Sequence, residues 1–255
     1  MAKAKSYYAP GALSSRYYDV VTAADKRLQG DLQIYAGLAT SGASVLELGA
    51  GTGRLTCGLA ALGFEVTGID IAAAMLAQAK TRVAALDPEV AARIALQLGD
   101  LTSVDLKRTF DLVICPYHTL AHIPAGAAWT LGFKTAAKHL PMGGLFAVHL
   151  PNLELMRNLK PIDPKAVVLD QPLEGGHRLR LHVRERSFRA GLNRLEQVLD
   201  YSVVDAAGVE VQRSSERLAL YMQDPQPFAS AAGFTLDRPP FDLGGDGDIW
   251  VFRKG

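Results

Sequence analysis

Short apolar runs alternate with segments of helical period from residue 44 onward. Val45-Leu46-Glu47-Leu48 reads as a strand, Gly49 to Gly53 as a glycine turn, and Leu55 to Leu62 as a small-residue helix ended by Gly63. Phe64 to Ile69 is the next strand, closed by Asp70. The alanine-rich stretch Ala72 to Leu86 is a helix that stops at Asp87-Pro88. Ile94 to Leu98, Phe110 to Cys115 and Leu145 to Leu150 are further strands, with a helix over Trp129 to Leu140 before the last. Strands alternating with helices need crossover connections, which predicts a mostly parallel sheet of α/β class.

The pattern differs on both flanks. Residues 1–43 read as helices and connections, with Leu32, Tyr35, Ala36 and Ala39 at helical spacing. After Pro151 the period drops to two: Leu179, Leu181 and Val183 alternate with Arg180, His182 and Arg184, as in a half-exposed strand. Turns at Arg189-Ala190-Gly191 and Ala206-Ala207-Gly208 separate further strands at Arg194 to Val204 and Val209 to Tyr221. This predicts an antiparallel meander inserted in an α/β chain. Pro225 to Gly233 returns as a short helix, and Phe234 to Leu236 and Asp248 to Phe252 read as final strands.

Composition narrows the classes. The 255 residues carry Lys+Arg 27 against Asp+Glu 26, a net charge of +1, which offers no electrostatic case for duplex binding. No run of about 18 apolar residues suggests a membrane span, and MAKAKSYYAPG lacks an apolar signal-peptide core. Cys57 and Cys115 are too few and too separated for a disulfide framework or a cysteine-built zinc site. The expectation is a cytoplasmic protein without membrane or nucleic-acid partners.

The glycine turn carries the most chemistry. Gly49, Gly51 and Gly53 permit positive φ and close backbone approach to a ligand, and the helix behind them offers unpaired N–H groups. Asp70, 21 residues after Gly49, ends the second strand, where an acid accepts both hydroxyls of a ribose. A dinucleotide fingerprint would need glycine at 54, where Arg54 stands, and no G-K-[ST] of a P-loop follows. Glu47, two residues before the first glycine, suits a cationic zwitterion better than a pyrophosphate.

The blocks VLELGAGTGRL, VTGIDIAAAML, LQLGDL, FDLVICPYHTLAHI and HLPMGGLFAVHL follow one another over residues 44–150. With them the sequence resembles the class I S-adenosylmethionine-dependent methyltransferases of small-molecule type. The resemblance implies a seven-stranded Rossmann-like α/β sandwich with the last strand antiparallel. It would comprise an N-terminal helical lid (1–43), a cofactor-binding core (44–151), an antiparallel β cap (152–224) and a C-terminal part of the core (225–255). S-adenosylmethionine is the implied cofactor. The loop Gly49-Ala50-Gly51 with Gly53, and Glu47, would receive its methionine part; Asp70 would hold the ribose. Ile71 and Met75 would flank the adenine, Asp100 and the Leu101 N–H would reach its amino group, and Cys115 and Pro116 would form the floor beneath the sulfonium. Two of these have plain structural readings as well: Asp100 as a cap of the next segment, Met75 as core packing.

Arg16-Tyr17-Tyr18-Asp19 resembles the family's entry segment, so Tyr18 would touch substrate or methyl and Tyr8 the cofactor carboxylate. His122 occupies the place of a histidine common in small-molecule relatives, the sugar-amine N-methyltransferases among them, and is the first candidate for base or substrate orienter. His118 is the second, and the two would share a face if the segment were helical; a metal between them lacks a third ligand. His149 stands where relatives often carry an acid, and its role is left open. Arg178, Arg180, Arg184, Arg186, Arg189 and Arg194 allow a solvated sheet face, recognition of an anionic or nucleotide-linked acceptor, or a homodimer interface. Asp242, Asp246 and Asp248 would balance that charge. A D/N-P-P-Y block for base methylation is missing at Ile114-Cys115-Pro116-Tyr117. The expected function is methylation of a small molecule at nitrogen or oxygen; the alternative is a non-catalytic cofactor-binding sensor or partner subunit.

Overall fold

A computed structural model describes residues 4–245 and 247–255; Asp246 lies outside the described residues. The strands in chain order are β1 Lys5–Ser6, β2 Ser44–Leu48, β3 Glu65–Asp70, β4 Ile94–Leu98, β5 Leu112–Cys115, β6 Leu145–Pro151, β7 Val167–Pro172, β8 Arg178–Arg189, β9 Arg194–Val204, β10 Glu210–Tyr221, β11 Phe234–Leu243 and β12 Gly247–Lys254. The α-helices are α1 Leu13–Arg16, α2 Tyr18–Ala24, α3 Asp31–Ala36, α4 Arg54–Ala61, α5 Ala73–Ala84, α6 Pro88–Ala91, α7 Ala127–Lys138, α8 Leu153–Arg157 and α9 Gln226–Ala231. Packing divides the chain into two compact units: Arg27–Asn152 with Met222–Gly255, and Met1–Lys26 with Leu153–Tyr221.

The larger unit holds a seven-stranded sheet in the order β11-β12-β6-β5-β2-β3-β4. The pairs β2–β3, β2–β5, β3–β4 and β5–β6 are parallel, whereas β12 runs antiparallel to β6 and β11, as expected. Every residue of β5 and β6 is buried, the signature of strands covered on both faces. One face packs Val45, Val66, Ile114 and Ala147 against Tyr35 of α3 and Leu55 and Leu59 of α4. On α7, Trp129, Phe133, Ala136 and Ala137 recur at helical spacing and are buried. Phe133 meets Phe146 and Phe252 edge-on at 5.3 and 5.7 Å. His139, just past α7, is structural: Nδ1–H donates to the Thr135 carbonyl (2.8 Å) and Nε2 accepts the Leu106 N–H (2.9 Å).

The smaller unit is a five-stranded sheet, β1-β10-β9-β8-β7, antiparallel except where β1 joins β10 in parallel. Strand β9 ends at the expected residues, while β1 and β7 are new: they are too short or too mixed in polarity to show a period. Leu179 and Val183 of β8 and Leu199, Tyr201 and Val203 of β9 form a core with Leu13 of α1, onto which Tyr17 and Val20 pack. The Tyr7 and Tyr201 hydroxyls lie 3.2 Å apart, and Glu216 accepts the Ser214 hydroxyl at 2.6 Å and the Ser14 N–H at 3.2 Å.

Candidate active site

Strand β2 delivers the chain to the glycine loop at the carboxyl edge of the sheet. Gly49, Gly51 and Gly53 take φ of 85°, 56° and 77°, and Gly53 starts α4. A side chain at Gly49 would collide with Thr119, whose Oγ1 would stand 2.6 Å from its Cβ. The loop therefore packs directly on the turn after β5. Ala50 is buried within it. Glu47 is also buried, with 2% of its surface exposed, on the α3–α4 side of the sheet. Its Oε2 accepts the Thr56 hydroxyl from α4. Opposite Glu47 in register is Gly68, where a Cβ would come within 3.1 Å of Thr56 Oγ1 and 2.8 Å of the Ala50 Cβ. The bare glycine makes room for the Thr56–Glu47 contact. Burial pushes the Glu47 carboxyl up to about 8, against the opposing pull of Thr56 and Arg54. Arg54 in turn is forked onto Asp31 at the start of α3, with Nη1 3.0 Å from Oδ1.

Asp70 closes β3 and is held by backbone: Oδ2 accepts the Gly51 N–H at 2.8 Å and Oδ1 the Ala72 N–H at 2.7 Å. The second bond is an Asx turn that starts α5. Burial raises the Asp70 pKa, and these N–H groups pull it back. Each carboxylate oxygen retains a lone pair for a ligand hydroxyl, a fit for the ribose role. Ile71 beside it is 72% exposed, whereas Met75 is buried in the core. Asp100 caps its own turn through Oδ1, which accepts the Thr102 N–H (2.8 Å) and hydroxyl (2.7 Å). Leu101, next to Asp100, is half-buried.

After β5 the chain turns sharply. Cys115 and Pro116 are buried, and burial pushes the Cys115 thiol up to about 12, so it stays protonated. Tyr117 and His118 follow with φ of 44° and 61°, left-handed values that cost bulky residues roughly 1–2 kcal/mol each. The condition for a face shared by His118 and His122, a helix through both, is not met. His118 stands outside the short 3₁₀ turn Thr119–His122, because its left-handed backbone breaks helical continuity. His118 instead meets His149 of β6, ring centroids 4.4 Å apart. The Nε2 atoms of both would lie 2.9 Å from a Cβ at Gly247, so β12 can begin there only with glycine. Burial lowers the His118 pKa, helped by His149, His122 and Arg27. Burial brings His122 down to about 4. Trp129 Nε1 donates to the Ile123 carbonyl at 3.1 Å and anchors the end of the turn. Among the described residues no group of three or more His, Cys, Asp or Glu side chains is arranged to hold a metal ion, and no helix is long and apolar enough to cross a membrane.

Tyr8 and Tyr18 belong to the smaller unit, rings 5.9 Å apart and edge-on, with Tyr8 at φ 59°. The arginines of β8, and Arg194 at the start of β9, are largely spent on carboxylates of their own sheet. Arg178 and Arg180 pair with Asp170, Arg184 with Asp200, and Arg189 and Arg194 with Glu196; Arg186 faces the Gln197 amide. These pairings hold the arginine run within the smaller unit's sheet. Sequence reasoning passed over Thr56, Gly68, Thr119, Gly247 and Tyr35. Gly68 had a signal, since glycine inside a strand marks close approach. Tyr35 showed only helical spacing.

Comparisons with known proteins bear on the domain and the fold. Residues 45–144 match the methyltransferase domain. An ubiquinone biosynthesis O-methyltransferase of Alkalilimnicola ehrlichii is 37% identical over 102 residues, which span 40% of this chain and 39% of that protein. The CcbJ methyltransferase of Streptomyces caelestis superposes with a TM-score of 0.76 at 23% identity, covering 98% of both chains. The amino pentose methyltransferase CalS10 of Micromonospora echinaspora, solved with bound S-adenosylmethionine, reaches 0.68 at 22% identity over 94% of this chain and 97% of its own. The sugar N-methyltransferase KedS8 of Streptoalloteichus reaches 0.70 at 19%, over 93% and 92%. The likeness to the solved structures is one of fold: the seven-stranded sheet is that of the class I methyltransferases.

Proposed function

We propose that this chain, with its methyltransferase domain at residues 45–144, moves a methyl group from S-adenosylmethionine to a nitrogen or oxygen of a small-molecule acceptor. The observation that carries the reading is Asp70. The Gly51 and Ala72 N–H groups hold it at the end of β3, beside a loop in which Gly49, Gly51 and Gly53 take positive φ. Gly49, Ala50, Gly51 and Gly53 with Glu47 would take the methionine part, Asp70 the ribose, Ile71 and the Asp100 Oδ2 the adenine, and Cys115 and Pro116 the floor. Bound there, the cofactor supplies an activated methyl carbon on a sulfonium. The chain's own task is then alignment in a water-poor site, worth on the order of 7–11 kcal/mol at best.

His122 and His118 act on the acceptor. With a pKa near 4, His122 is a neutral imidazole at pH 7. A weak base of that kind orients a hydroxyl or amine by hydrogen bonding and leaves the proton to depart after transfer. An amine acceptor, neutral when it attacks, suits this arrangement, and the amino pentose and sugar N-methyltransferases among the structural neighbours support that choice. The test is production of S-adenosylhomocysteine with a panel of small amines and alcohols. Acceptor-dependent product is expected, and His122→Ala should lower kcat at least tenfold while cofactor affinity holds. Tight cofactor binding with no acceptor-dependent product across the panel would sink the catalytic reading.

A further inference from the structure

Beneath the glycine loop lies a polar hydroxyl with nothing to bond. Tyr35 is fully buried on α3, and its hydroxyl has no hydrogen-bond partner. A buried phenol normally finds one, and its absence asks for an explanation. The ring sits among Val45, Ile114 and Leu59, on the face of the sheet that Glu47 shares with Val45. Glu47 uses Oε2 for Thr56, and an ionised Glu47 would act electrostatically on the Tyr35 hydroxyl, as Asp31 and Arg54 do. Among the described residues, the charged or titratable groups that bear most on this cluster are Tyr35 and Asp31 from α3, Arg54 from α4, Asp70 from β3 and Cys115 from β5.

We propose that Tyr35 is a positioning residue for Glu47: its hydroxyl is placed to bond the carboxylate that forms when a cationic ligand group reaches the glycine loop, so that cofactor binding expels a proton. This rests on the methyltransferase reading. At pH 7 the Glu47 carboxyl is mostly neutral, since burial has pushed it up to about 8. An ammonium beside it favours the ionised form. The O–H bond of the carboxyl breaks and the proton leaves to solvent. The anion has two oxygens to satisfy; Thr56 already holds one, and the Tyr35 O–H supplies a second donor. The phenol stays protonated throughout, because burial and its acidic neighbours hold its pKa well above the usual value.

The experiment is calorimetry with S-adenosylhomocysteine, which carries the α-ammonium, at pH 6.5 in two buffers of different ionisation heat. About one proton should be released per ligand bound. Glu47→Gln should release none, and 5′-methylthioadenosine, which lacks the ammonium, should release none from the wild type. Tyr35→Phe should keep the wild-type melting temperature, because it removes a hydroxyl that bonds nothing, yet bind S-adenosylhomocysteine about tenfold more weakly. A structural role alone would move the melting temperature and leave affinity unchanged. Wild-type binding without proton release, or equal affinity in Tyr35→Phe, overturns the proposal and leaves the methyltransferase reading standing. No binding of S-adenosylhomocysteine to the wild type overturns both.

Discussion

Replacing Glu47 by glutamine should stabilise the protein above neutral pH. The carboxyl is buried with 2% exposure, and its pKa in the fold is about 8 against an ordinary 4.5. Between those values the folded chain keeps a proton that the unfolded chain has lost, so stability falls as pH rises through the window and is level on either side. At about 1.4 kcal/mol per pH unit, the whole window is worth roughly 5 kcal/mol. Glutamine mimics the neutral acid: its carbonyl still accepts the Thr56 hydroxyl. The variant should therefore match the wild type within about 0.5 kcal/mol at pH 4 and exceed it by several kcal/mol at pH 8–9. Urea denaturation followed by tryptophan fluorescence is the assay, because Trp129 and Trp250 both belong to the larger unit and report its unfolding alone. Parallel pH profiles for the two proteins, with no widening gap from pH 5 to 9, would refute the assigned cause.

Three further outcomes are expected. Asp70→Ala removes a charged acceptor and should weaken S-adenosylhomocysteine binding by about 1.5–3 kcal/mol, roughly ten- to a hundredfold; calorimetry showing unchanged affinity would end the ribose assignment. Gly247→Ala drives a methyl group into the Leu150 carbonyl and both the His118 and His149 rings, and should cost about 2 kcal/mol or more in a thermal melt; an unshifted midpoint would mean the rings move aside freely. Asp200→Ala strips the acid shared by Arg184, Arg213 and Ser215 and should destabilise the smaller unit by about 1–3 kcal/mol, read by limited proteolysis within residues 153–221; wild-type cleavage rates would show the pairs to be surface decoration.

The sheet and its cofactor edge were legible because they depend on local pattern. Apolar runs of strand length, helical spacing between them and glycines that permit positive φ at 49, 51 and 53 are properties of neighbours in the chain, and the observed strands fall within a few residues of the expected ones. Asp70 was legible for the same reason: its place is set by the length of one strand-helix-strand unit.

What tertiary structure decided was pairing at a distance. The arginines of β8 read as unbalanced until Asp170, Asp200 and Glu196 came beside them from other strands. His118 read as a helical partner of His122, yet a left-handed turn set it against His149, 31 residues away, with Gly247 as the bare surface both rings need. Tyr35 and Glu47 each looked ordinary in place, one an apolar helix residue and one a motif acid. Only packing α3 onto β2 put an unbonded hydroxyl next to a carboxyl starved of water. Local geometry follows from covalent neighbours, whereas the state of a buried polar group follows from which remote groups exclude solvent around it, and a one-dimensional pattern does not encode that.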